Sequence, residues 1–279
     1  MTAESHTIFC HTEYSTLQKV VLCEPNYMSI NDPNHKEFRD VSINIDLAIK
    51  QHKHFIHALK SHGVEVVILP PDKAFPDQVF TRDIGFAIGN RIYVTEMKTY
   101  LRQGEEASLI KWLKKEQIPF HQLIGVTIEG GDVMIDGETV YIGISKRTNL
   151  LAVRHLQSIL PKYEVIPVPF NDAFLHLDCV FNILSPEEAL ICSNEINSKQ
   201  VQLLKSRYDL IEMTKEDLLN HSANVLSIGN KKVFSMPINK NLNKKLQSRG
   251  YEVIEVDISE ITKSGGAFRC CSLPLYRSL

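Results

Sequence analysis

The sequence predicts an α/β fold, a five-bladed α/β propeller built from pseudo-five-fold ββαβ repeats, and three observations lead to it. Short strand pairs joined by tight turns recur, with turns at Gly89, Gly137, Pro186 and Gly229 spaced 43 to 49 residues apart. Each pair is followed by an amphipathic helical stretch and then a short apolar run, so the repeating unit reads ββαβ. The two chain ends supply complementary parts of a fifth unit, and repeats of this length stack or circularise.

Taken in order, 20–22 reads as a strand, 42–61 as a helix and 64–69 as a second strand. The first complete unit has a hairpin over 86–94, a helix over 105–115 and a strand at 118–120. The next three repeat it: hairpins over 132–142, 181–192 and 225–236, helices over 149–160, 198–206 and 239–249, strands at 165–168, 210–213 and 253–256. The opening strand lacks a hairpin partner. A C-terminal strand over 268–273 is expected to provide it, closing the ring and leaving no exposed sheet edge. No Gly/Ser-rich linker interrupts the pattern, so residues 1–279 read as one catalytic-sized domain.

Composition narrows the partners. With 43% hydrophobic and 23% charged residues and a formal net charge of −2, the chain has a globular balance and no basic stripe, which disfavours nucleic acid and favours a small molecule. No run approaches a membrane span and the opening residues 1–10 are polar, so a cytoplasmic protein without a membrane partner is expected. A homodimer is compatible with these features. Six cysteines without a CxxC pair point to reduced thiols rather than disulfides or structural zinc. His52, His54, His57 and His62 cluster on the first helix; without an acidic or thiol ligand beside them they read as a solvated face, and neither metal nor cofactor is expected.

In a closed ring, residues at equivalent strand ends converge on one axis. Four segments place polar groups there. Asp77-Gln78-Val79-Phe80-Thr81-Arg82-Asp83 brings charge into an apolar region, which a structural Arg82–Asp83 ion pair would also explain. Ile128-Glu129-Gly130-Gly131-Asp132 sets two carboxylates around a glycine pair in a strand-like pattern, read as close approach of backbone or ligand, or as a bulge. Strand alternation over Phe174–Phe181 would place His176, Asp178 and Val180 on one face. Gly265-Gly266-Ala267-Phe268-Arg269-Cys270-Cys271-Ser272 turns tightly before a cysteine beside a cation, and a neighbouring positive charge favours the thiolate, the reactive form.

The ordered set Phe80-Thr81-Arg82-Asp83, Glu129-Gly130-Gly131-Asp132, His176-Leu177-Asp178 and Gly265-Gly266 to Cys270 resembles the guanidino-group-modifying (pentein) superfamily. That superfamily contains arginine deiminase, dimethylarginine dimethylaminohydrolase and the amidinotransferases, and its fold is the five-fold ββαβ propeller. The resemblance covers about 77–272 and implies Cys270 as nucleophile, His176 as general acid and base, and Glu129 as the group that orients the imidazole. It implies Asp83 and Asp178 as the grip on the guanidinium, Arg102 and Arg147 as partners of a substrate carboxylate, and Asp77 and Phe80 as further substrate contacts. Alternation puts Cys270 and Cys271 on opposite faces, and the family register selects Cys270.

The implied activity is hydrolysis at the guanidinium carbon of arginine or a methylated arginine, giving a citrulline-type product and ammonia or an alkylamine. Arg82 and Asp178 resemble the arginine deiminases, while chain length and Arg102 and Arg147 resemble the dimethylarginine hydrolases. Ser264 stands where arginine deiminases carry an arginine. Amidinotransfer is the enzymatic alternative. A non-catalytic binding protein is the alternative of another class, because the same propeller occurs in a ribosomal-subunit anti-association factor.

Overall fold

Five three-stranded sheets carry the described residues. The structure is a computed structural model and describes residues 8–30 and 42–278; the polar opening segment read above lies, over 1–7, outside the described residues. Strand β1 (Thr16–Cys23), helix α1 (Ile45–Ser61) and β2 (Glu65–Leu69) come first, followed by β3 (Gly85–Ile88), β4 (Arg91–Val94), α2 (Glu106–Lys115) and β5 (Phe120–Gln122). The third unit is β6 (Val133–Asp136), β7 (Thr139–Ile144), α3 (Leu150–Ile159) and β8 (Glu164–Pro169). The fourth is β9 (Phe181–Ile183), β10 (Glu188–Ile191), α4 (Ser198–Arg207) and β11 (Asp209–Glu212), with short α5 (Lys215–Leu219) leading onward. The fifth is β12 (Leu226–Gly229), β13 (Lys232–Ser235), α6 (Lys240–Ser248) and β14 (Glu252–Glu255); short α7 (Ser259–Thr262) and β15 (Leu273–Ser278) end the chain.

Every sheet follows one rule: its middle strand pairs antiparallel with the hairpin partner and parallel with the strand that follows the helix. A helix between the second and third strands makes the parallel pairing possible, because a two-residue turn cannot return a chain in the same direction. In the closing sheet β15 pairs antiparallel with β1, and β1 runs parallel to β2. The two ends of the chain thus complete one blade, and a pseudo-five-fold propeller results. First strands of neighbouring sheets meet near the centre, β15 against β3 and β6 against β9.

The helices form where an apolar stripe can cover a sheet. Asn149 caps α3 by accepting from Leu151 and Ala152 at 2.9 and 3.2 Å, and Ala152, Val153 and Leu156 pack on Val133, Ile135, Val140 and Ile142. Burial of Leu156 alone stabilises the fold by about 1.5–3 kcal/mol. On α1, Phe55 meets the rings of Phe234 and Phe268 at 5.4 and 5.0 Å, tying the first helix to the last blade and to the segment before Cys270.

Three sequence expectations change. The final strand starts at Leu273, not at 268, so Cys270 and Cys271 lie in a turn, where Cys271 N–H donates to Ala267 O at 3.0 Å. The two polar segments read as strands are each one extended residue followed by a single 3-10 turn: Glu129 before Gly130–Asp132, and His176 before Leu177–Cys179. Their alternation imitates a strand, but near the axis the backbone closes on itself, Asp132 N–H to Glu129 O and Cys179 N–H to His176 O. On α1, His52 is fully buried with neither ring nitrogen hydrogen-bonded, so it belongs to the core face rather than to a solvated one. Burial lowers its pKa to about 4, which keeps the ring neutral.

Candidate active site

The same turn recurs in front of the first strand of the blades. It covers Gly130–Asp132, Leu177–Cys179 and Ser222–Asn224, with looser turns over 80–84 and 267–271. Each ends close to the axis, and the residues it delivers are Asp83, Asp132, Asp178, Asn224 and Cys270. Asn224 and Cys270 lie 46 residues apart, and Asp178 and Cys270 lie 92 apart, twice that interval. The repeat itself therefore builds the site.

A cavity of about 30 Å³ opens there, lined among the described residues by Asp77, Phe80, Asp83, Arg102, Arg147 and His176, and on its other side by Gly265, Gly266 and Cys270. Both cysteines are buried in the apolar cluster that holds Phe55, Phe234 and Phe268, but of the two only Cys270 lines the cavity. Glu129 and Asp178 sit just behind the lining. Glu129 Oε2 meets His176 Nε2 at 2.8 Å, and Asp178 Oδ2 lies 3.7 Å from Cys270 Sγ. The structure thus gathers all the sequence-selected residues around one point.

Two glycines permit this density. A Cβ on Gly131 would lie 2.8 Å from the His176 ring and 2.9 Å from Asp83 Oδ1. One on Gly266 would lie 2.6 Å from the Phe80 ring and 2.9 Å from Cys270 Cβ. Its neighbour Gly265 has φ +97°, a left-handed conformation that other residues adopt only under strain.

The imidazole is held between acids, Glu129 on one nitrogen and Asp83 Oδ1 at 3.6 Å from the other. Burial works against its charge, yet Asp83, the Glu129 hydrogen bond and Asp132 together raise the His176 pKa to about 10, so the ring carries its proton at neutral pH. Burial likewise disfavours the Glu129 charge, but His176 and Arg147 bring its pKa down to about 2. Asp83, Glu129 and His176 offer three ligand-type atoms within 4.8 Å of one another. Their contacts with each other account for that closeness. Asp132 lies behind them, accepting from Leu177 N–H at 2.9 Å and Ser145 Oγ at 2.7 Å, and burial raises its pKa to about 7.

Two ion pairs differ from expectation. Arg82 does not pair with Asp83; it reaches Glu13 at 3.0 Å and the carbonyls of Gly130 and Val133. Arg269, the cation beside the cysteine, also turns to Glu13 and to the Val133 carbonyl, leaving its Nε 3.4 Å from Asp178. Glu13 is buried, and Arg269 and Arg82 overcome that burial to hold its pKa well below the carboxylate range. Arg269 feels the sulfur but does not outweigh the groups that raise it. Burial, then Asp178 and Asp83, raise the Cys270 pKa well above its ordinary value.

Arg102 is 6% exposed, its guanidinium donating to Asp83 Oδ2 at 2.7 Å and to both oxygens of Glu105. Burial opposes its charge, but Glu105 and Asp83 keep it protonated. Arg147 lies 3.5 Å from Glu129, and Asp77 accepts from Ser264 Oγ at 3.3 Å. Two participants escaped sequence reasoning, Glu105 and Asn224. The first is three residues beyond Arg102, helix spacing that suggests a pair; the second shows only when the repeats are aligned at 46 residues.

A sequence profile of the family described as N,N dimethylarginine dimethylhydrolase, eukaryotic, matches residues 22–277. The uncharacterized protein YkgA of Bacillus subtilis (strain 168) is 48% identical over 275 residues, 98% of this chain and 96% of that protein. The N(G),N(G)-dimethylarginine dimethylaminohydrolase of Pseudomonas aeruginosa is 30% identical over 229 residues, 81% of this chain and 87% of that enzyme. The fold is also that of the product-bound N-terminal domain of ArgZ, an arginine dihydrolase from the ornithine-ammonia cycle in cyanobacteria: TM-score 0.84, 23% identity, 93% of this chain and 97% of that one. No helix among the described residues is long and apolar enough to cross a membrane. With the profile spanning nearly the whole chain and an enzyme of that name at 30% identity, the chain belongs to the dimethylarginine dimethylaminohydrolase family of guanidino hydrolases.

Proposed function

We propose that the protein hydrolyses the guanidinium of arginine or a methylated arginine through a covalent Cys270 intermediate. One observation carries the reading: a thiol, a carboxylate-locked imidazole and two buried aspartates, Asp83 and Asp178, meet at one cavity. A guanidinium is planar, always charged and donor-only, so acceptor-only carboxylates suit it. Asp83 Oδ1 is buried without a hydrogen bond, an acceptor that a substrate N–H would satisfy.

The chemistry follows from the charges. The acids that raise Cys270 are offset when a cation binds between them, so the substrate itself promotes thiolate formation; with His176 already protonated, the thiol proton leaves to solvent. The thiolate then forms an S–C bond to the guanidinium carbon, and the C=N electron pair moves onto nitrogen. His176, protonated beforehand, gives its proton to the departing nitrogen as that C–N bond breaks. The neutral imidazole takes a proton from water, whose oxygen attacks the same carbon; C–S cleavage then returns the thiolate while the added hydroxyl loses its proton to solvent and becomes the carbonyl of a ureido product. Arg147, and Arg102 once an incoming guanidinium displaces it from Asp83, would take a substrate carboxylate, with Asp77 and Phe80 completing the walls.

An unsubstituted guanidinium end suits two carboxylates better than a dimethylated one, which has lost two N–H donors. The deciding assay incubates the protein with arginine, mono- and dimethylarginine and agmatine, and follows ureido product and released amine. Ureido product from arginine or a methylarginine is expected. No product from any of them, with no adduct on Cys270, overturns the reading in favour of a binding protein; a new guanidine formed only with an added amine would show amidinotransfer.

A further inference from the structure

Asn224 is 1% exposed and directs both ends of its carboxamide at the cysteine loop. Its Oδ1 accepts from Ala267 N–H at 3.1 Å and from Cys270 N–H at 3.0 Å, while its Nδ2 lies 3.1 Å from Cys270 Sγ and 3.4 Å from the Asp178 carbonyl oxygen. This network fixes the orientation of the amide. Two backbone N–H groups can only donate, so the atom facing them is the oxygen; a carbonyl can only accept, so the atom facing Asp178 and the sulfur is the NH₂. Its main-chain carbonyl also accepts from Arg269 N–H at 3.2 Å.

The charges around the sulfur make that N–H consequential. Asp178 stands 3.7 Å away, Asp83, Cys179 and Cys271 add to the same field, and Arg269 is committed to Glu13. Among the described residues Asn224 is the one hydrogen-bond donor that reaches Sγ. It also occupies the blade position that delivers Asp132 and Asp178 elsewhere, so an acid there, by analogy with its neighbours, would set another negative charge against the sulfur.

We propose that Asn224 is a catalytic residue of this site, its carboxamide N–H stabilising the Cys270 thiolate that adds to the substrate and its carbonyl oxygen holding the backbone that carries the sulfur. The proposal rests on the reading of Cys270 as nucleophile. When the S–C bond forms the sulfur loses its negative charge, and when that bond breaks the charge returns to the same N–H.

Asn224→Asp and Asn224→Ala separate the two roles. The aspartate keeps an oxygen for Ala267 and Cys270 N–H, loses the donor and adds a negative charge beside the sulfur, whereas alanine loses both oxygen and donor without adding charge. The readout is the pH dependence of Cys270 alkylation by iodoacetamide, followed on the Cys270 peptide by mass spectrometry, with circular dichroism as the check on folding. The midpoint is expected to rise by about one to two pH units in Asn224→Ala, as for loss of a hydrogen bond to a charged group, and further in Asn224→Asp. Should the alanine variant fail to fold, the aspartate variant carries the test alone. A folded Asn224→Asp whose midpoint matches wild type overturns the proposal. Because alkylation is read on the sulfur, it is independent of turnover: a shifted midpoint in a protein that processes no guanidine would uphold the contact and sink the hydrolase reading.

Discussion

Arg102 donates to Asp83 at 2.7 Å, so the carboxylate expected to receive a substrate guanidinium already holds one belonging to the protein. Glu105 secures the same side chain from the opposite end through both its oxygens. Removing one partner of a buried ion pair strands the others, at a cost of about 3–5 kcal/mol. Arg102→Gln should therefore lower stability by about that amount in urea unfolding, and Arg102→Gln with Glu105→Gln should recover much of it. A double variant no more stable than the single one would show that Glu105 is not what Arg102 neutralises.

The two adjacent cysteines make a sharper test of the nucleophile. Cys270 lines the cavity while Cys271 packs beside Phe268, so Cys271→Ala should retain most turnover and Cys270→Ala should form no ureido product while still binding arginine. Calorimetric titration and a product assay on both variants separate binding from chemistry. Activity in Cys270→Ala, or its loss only in Cys271→Ala, would reverse the assignment.

The blades were legible because period-two runs, turn residues and amphipathic helices repeat at one interval, and the helices end within a few residues of where their polar caps suggest. The site residues were legible as a set because a closed ring brings equivalent positions together. Their local structure was not. Strand alternation set Cys270 and Cys271 on opposite faces and the family register chose Cys270, yet both lie in a turn, and the cavity distinguishes them through packing rather than pleat. Arg269 is adjacent in sequence but committed in space to Glu13, a residue 256 positions away that no local pattern connects to it. Asn224 was invisible because Ser222-Ala223-Asn224 resembles any turn, and its meaning lies in repeat register.

Proton transfer should respond to the acids around His176. Its pKa is raised from 6.5 to about 10, so the protonated ring that donates to the leaving nitrogen persists until alkaline pH. Glu129→Gln removes a negative charge from its hydrogen-bonding partner and should move the alkaline limb of the kcat profile to lower pH. Stability follows the same sign: this contribution is full below about 6.5 and is lost as pH rises through about 10, so unfolding midpoints should fall across that interval, and fall less in Glu129→Gln. His176→Ala should reduce kcat by about 10²–10⁴. An alkaline limb unmoved by Glu129→Gln would mean that another group supplies the proton.

The position of the sulfur depends on an absent side chain. A Cβ at Gly266 would press on the Phe80 ring at 2.6 Å and on Cys270 Cβ at 2.9 Å, contacts shorter than van der Waals packing allows, so either the ring or the cysteine must shift. Misplacement of a reacting atom by about 1 Å can cost about 10²-fold in rate, whereas the fold, anchored by β15 and β1, has no reason to fail. Gly266→Ala should therefore lose about 10²-fold in kcat with a near-normal unfolding midpoint. Phe80→Leu removes the ring atoms that the new methyl meets, so Gly266→Ala with Phe80→Leu should recover part of the loss if the ring is what drives the displacement. If the double variant is no faster and Phe80→Leu alone is fully active, the methyl acts directly on Cys270, and the tight turn after Gly265 sets the reach of the sulfur without help from Phe80.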